Sequence, residues 1–153
     1  MQHRLQKCLT DANLKSPVQN SAHRDNREVK VATAALLVEV ARADFEEDPV
    51  EKEAVRNLLK SHFNLESEEL APLFERASTA VDEAMTLHPF ARTLRDALHV
   101  EEREAVLELM WRVVYADGVK DDNEECLVMK VAELLCVPQH QFDAARERVE
   151  KDL

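Results

Sequence analysis

Asp44 and Glu51 stand seven residues apart, and so do Asp117 and Glu124, in matching surroundings. Each aspartate follows an alanine and closes an apolar run; each glutamate opens the next helical pattern. Carboxylates are oxygen donors for hard cations, and Ca²⁺ and Mg²⁺ draw their ligands from such groups. Four of them, from two half-sites, make a candidate metal centre, with Asp48 and Asp121 as secondary candidates for metal or partner contact. Neither copy holds a sulfur or an imidazole, so a divalent calcium or magnesium ion is expected ahead of zinc. Counting from Asp117, the third position is Val119 and no glycine occupies the sixth, which excludes an EF-hand.

The same acids also have a structural reading. Asp48-x-x-Glu51 and Asp121-x-x-Glu124 each fit a capping box, with the aspartate before the helix and the glutamate at its third position. Acids in a first turn also suit the positive end of the helix dipole. Capping leaves Asp44 and Asp117 without a role, and spacing alone leaves both readings open.

Long helices must position these acids. Residues 31–41 and 105–115 are apolar on nearly every side, so each predicts a buried central helix. Both are too short and too closely flanked by charge to span a membrane, which takes ~20 apolar residues. Aligning Asp44 with Asp117 also brings Asp48 onto Asp121, Glu51 onto Glu124 and Val55 onto Val128; one residue of slippage then sets Leu65 on Val137 and Leu70 on Phe142. Two such units predict halves related by a pseudo-twofold axis. In that register Glu39 meets Arg112, either as an ion pair across the axis or as two side chains snorkelling at the edge of the core.

The expected fold class is all-α: a compact helical bundle of about seven helices, with repeats at about 30–85 and 103–151. Periodicity predicts helices at about 28–43, 49–61, 67–81, 88–98, 101–116, 122–135 and 138–149. Val50, Val55 and Leu59 are expected to face inward, Ser67 to cap the third helix, and Pro89 to sit in the first turn of the fourth, which joins the halves. One glycine and 5% aromatic residues argue against a sheet protein rich in tight turns. Residues 28–153 form a single expected domain. Residues 1–27 form an expected appendage: a short amphipathic helix over 3–14, then a polar linker.

A net charge of −11 disfavours phosphate backbones, because nucleic-acid binding normally requires a cationic face, and no nucleic-acid partner is expected. It suits a chain that attracts cations or basic protein partners. The start of the chain has no continuous apolar run of the kind a signal peptide needs, and Cys8, Cys126 and Cys136 have no paired spacing, so reduced thiols and a cytoplasmic location are expected. The six histidines show no i,i+4 zinc pairing. Trp111 belongs to the core, while Tyr115 ends beside Asp117 with its hydroxyl placed to orient a carboxylate. No nucleophile–base constellation is legible, so no enzyme is expected.

The run Val113-Val114-Tyr115-Ala116-Asp117-Gly118, continuing through Glu124, resembles the "ADG…E" motif of TerB-like proteins, the tellurite-resistance TerB family. The resemblance covers about residues 30–150. The first copy departs from it, since Phe45 stands where the family often has glycine. The resemblance implies an all-helical fold with the motif in both halves, an acidic and metal-binding character, and a role with partners in bacterial stress or tellurite resistance. It implies no catalysis. The expected function is therefore a non-enzymatic acidic binding module; the alternative is a protein-interaction scaffold whose acids only cap helices.

Overall fold

The computed structural model describes residues 27–43, 49–116 and 121–153. Seven α-helices and no strands lie among the described residues: α1 (Arg27–Arg42), α2 (Pro49–Phe63), α3 (Ser67–Glu83), α4 (His88–Ala97), α5 (Val100–Val114), α6 (Asp122–Leu134) and α7 (Gln139–Lys151). The expected all-α bundle is the fold. The expected helix over residues 3–14, and the linker except for Arg27, lie outside the described residues.

α1 and α5 are the central helices. Ten of the sixteen α1 residues are buried, which is why its sequence carries almost no polar face. On α5, Val106, Leu107, Leu109, Met110, Trp111, Val113 and Val114 are buried. The helices pack in a repeating order: α1 lies chiefly on α3 and α5 chiefly on α7, with α1 and α5 in mutual contact. α2 touches α5 and α6 touches α1, so each second helix reaches across to the other half's central helix. α4 packs on α1 and α6 and so closes the bundle between the halves.

The one-residue slippage has a physical marker. The Leu65 N–H returns to the Lys60 carbonyl at 2.9 Å, and the Val137 N–H returns to the Ala132 carbonyl at 3.1 Å. Both are the six-to-one bonds that end a helix in a Schellman turn. Both turns then bury an apolar residue, Leu65 in one half and Val137 in the other.

Two local expectations are corrected. Ser67 is the first residue of α3 and not its cap; Glu66 is the cap, in a reciprocal box with Glu69, whose Oε1 accepts from the Glu66 N–H at 3.0 Å. Val50 is 52% exposed and not inward. The buried stripe of α2 runs Glu51, Val55, Leu59, at steps of four, and Val50 lies beside it on the solvent side.

Arg112 does not pair with Glu39. Its Nη2 donates to Asp152 Oδ2 at 2.7 Å, beside the end of α7. In the other half Arg42 Nη1 donates to Asp82 Oδ1, also at 2.7 Å, at the end of α3. Each central helix is thus tied to the third helix of its own half, and Glu39 stays half-buried on α1. Arg103 makes a different tie. From the first turn of α5 its Nη1 donates to the Leu135 carbonyl at 2.6 Å and its Nε to the Leu98 carbonyl at 3.3 Å. One guanidinium therefore closes the ends of α4 and α6, and burial pulls its pKa below the usual arginine value.

Candidate functional site

Three of the six candidate acids, Asp44, Asp48 and Asp117, lie outside the described residues. Glu51, Asp121 and Glu124 lie within them.

Glu51 is the third residue of α2 and Glu124 the third residue of α6. Glu51 is 1% exposed and Glu124 is 0% exposed, and with Thr33 they are the only buried polar residues among those described. Sequence reasoning missed this burial, although the signal was present. Stepping back four residues from the inward pair Val55 and Leu59 lands on Glu51; stepping back four from Val128 lands on Glu124. Both glutamates occupy the apolar stripe of an amphipathic helix, where burying an ionised group costs several kcal/mol unless charge or donors compensate it.

Asp121 takes the expected cap position of α6. Its backbone is extended, and its Oδ1 accepts from the N–H groups of Asn123 at 2.8 Å and Glu124 at 3.2 Å. These are two of the donors that a helix start leaves without an internal partner.

The residues that follow the two glutamates differ in charge. Next to Glu51, Lys52 and Arg56 lie over the Phe74 ring, at 5.9 and 4.8 Å from its centroid. Next to Glu124, Glu125 meets Arg146 at 3.6 Å. The repeat sets Lys52 on Glu125 and, after the slippage, Phe74 on Arg146. The same contact between second and third helix is kept, but one half uses a cation over a ring and the other an ion pair. The first turn of α6 thus carries three acids, Asp122, Glu124 and Glu125, behind the Asp121 cap, while that of α2 carries Glu51 alone.

Tyr115 does orient a carboxylate, though on α7 and not in the acidic loop. Its hydroxyl donates to Glu150 Oε2 at 2.6 Å. Burial, then this bond, pushes the Tyr115 pKa up. Arg146 donates to the same carboxylate at 3.3 Å and covers the Trp111 ring at 5.1 Å, and Trp111 stacks on Tyr115 at 6.0 Å. This cluster holds the end of α5 against α7.

Among the described residues no group of three or more His, Cys, Asp or Glu side chains is close enough to hold a metal ion. Cys126 and Cys136 are free and exposed. No described helix is long and apolar enough to cross a membrane.

The fold and site define an all-helical bundle in which one glutamate is sealed at the start of α2 and another at the start of α6. A family model described as tellurite resistance protein TerB matches residues 30–147, and the chain belongs to that family. No curated protein and no solved structure matches the chain.

Proposed function

We propose that this tellurite-resistance-related domain is a non-enzymatic binding module whose duplicated acids take up a divalent cation. The observation that carries the reading is the paired burial of Glu51 and Glu124 at equivalent helix starts. Capping alone calls for a glutamate at the helix start, not for one sealed in the core stripe. A cation held between the glutamate and the preceding loop aspartates would compensate the buried charge. The donors would be Glu124 and Asp117 in one half and Glu51 and Asp44 in the other, with Asp121 and Asp48 as supporting contacts. An all-carboxylate set is hard, so Ca²⁺ or Mg²⁺ fits it better than zinc. The second half is the stronger of the two, because the first turn of α6 carries Asp122, Glu124 and Glu125 and that of α2 only Glu51.

The rival reading is a protein-interaction scaffold, and its specific support is the Asp121 cap. Calorimetric titration with Ca²⁺ and Mg²⁺ separates the two. The cation reading expects saturable heat, weakened by Asp117→Asn; Asp121→Ala would cost ~1 kcal/mol of stability under either reading. Absence of heat at millimolar cation would leave the scaffold. A basic protein partner in a cytoplasmic stress response is part of the same proposal; no step of it needs catalysis, nucleic acid or membrane insertion.

A further inference from the structure

The strongest feature outside the acidic site is a cleft of opposite charge. It opens between the first turn of α1 and the first half of α3, with about 320 Å³ of solvent-fillable space, a volume typical of small-molecule sites. Arg27 and Lys30 line it from α1 and Arg76 from α3, over a floor that includes Val31, Pro72 and Leu73. The chain carries a net charge of −11, yet three cations converge here. Among the described residues none of the three enters an ion pair. Most other described arginines do: Arg42 with Asp82, Arg95 with Asp96, Arg112 with Asp152, Arg146 with Glu125 and Glu150, and Arg148 with Glu104 and Glu108.

The helix start adds to the effect. Arg27 is the first residue of α1 and Lys30 its fourth, so both sit at the positive end of a sixteen-residue helix dipole. Cations there work against the local field and give up some helix stability. Anions are the natural counterpart of cations gathered at a helix start. Glu69 is the single acid on the rim, and its carboxylate is engaged with the Glu66 N–H. Glu28, also in the first turn, does not line the cleft.

We infer that this cleft binds a small anionic amphiphile, with a phosphate or carboxylate head between Arg27, Lys30 and Arg76 and an apolar body on Val31, Pro72 and Leu73. The head requires the cations; the body requires the floor. Residues 1–26 of the chain are unsuited as occupant, because Arg4, Lys7, Lys15 and Arg24 outweigh Asp11 and Asp25. The smaller hollow around Phe74 is a poorer candidate: Arg42 is engaged with Asp82 and Lys52 lies over the ring. The inference stands apart from the cation reading, since the two sites share no residue.

The test is an amide NMR titration of the full chain with octyl phosphate, inorganic phosphate and octanol. Octyl phosphate is expected to shift the Lys30, Val31, Leu73 and Arg76 signals saturably. The double substitution Arg27→Gln/Arg76→Gln is expected to weaken that binding about tenfold or more. Both arginines are exposed, so the double variant should keep its circular dichroism and melting midpoint. Any of three results overturns the inference: no saturable shift at these residues up to millimolar octyl phosphate, equal affinity in the double variant, or octanol or phosphate alone binding as tightly as octyl phosphate.

Discussion

Asn64 and Cys136 hold equivalent left-handed positions, with φ of 53° and 57°, one residue past the end of α2 and two past the end of α6. They are the only non-glycine residues with positive φ among those described. Each lets the next residue, Leu65 or Val137, send its N–H back into the helix and its side chain into the core. Glycine is the usual occupant of such a position, and this chain has one glycine, at Gly118. Asparagine tolerates the left-handed region through its short polar side chain; cysteine has no such compensation.

Cys136→Gly should therefore raise stability by ~0.5–1 kcal/mol, while Asn64→Gly should change it by a few tenths at most. Urea denaturation checks both, with an unchanged slope confirming that only the native state moved. Equal effects at the two positions would contradict this account of the turn.

Arg103→Met should be among the more damaging single changes outside the core. It removes the guanidinium that bonds the Leu98 and Leu135 carbonyls, and a lost bond to a charged group costs ~1.5–3 kcal/mol. The measurement is the thermal midpoint. Hydrogen exchange should also show faster opening at the ends of α4 and α6 than elsewhere.

The cation reading gives the two glutamates unequal weight. A cation present at about 100 times its dissociation constant adds ~2.7 kcal/mol to stability. Millimolar Ca²⁺ or Mg²⁺ should raise the wild-type midpoint by several degrees, and Glu124→Gln should abolish most of that rise. Glu51→Gln should remove less, because the first turn of α2 carries no second acid. A midpoint indifferent to cation in the wild type would point to the scaffold.

Glu39 predicts a pH dependence of defined sign. Burial pushes its carboxyl above the usual range, with Arg42 pulling it down and Asp82 pushing it up again. The native state then holds the proton more tightly than the unfolded chain. The stability tied to this group is complete below the ordinary carboxylate range and is lost as pH rises through the native value. Glu39→Gln should thus melt higher than wild type at neutral pH, with the difference closing toward about pH 4. A difference constant with pH would remove burial as the cause.

Sequence periodicity was sufficient for much of this protein. Apolar runs of helical length, one glycine and few aromatic residues determined an all-α bundle, because a helix satisfies its own backbone and its pattern is local. The duplicated Asp…Glu spacing, the slippage at Leu65 and Val137, and the Asp121 cap were legible for the same reason. Tertiary packing decided what depends on which face turns inward and what lies across from it. Glu51 took the inward place expected of Val50, since a helix rotates to bury Val55 and Leu59 together. Arg112 found Asp152 and not Glu39, and Arg146 found Glu125 and the Trp111 ring, because those partners are brought close only by the fold. The cationic cleft is of the same kind: Arg27 and Lys30 sit more than forty residues before Arg76, and only the packing of α1 on α3 makes them neighbours.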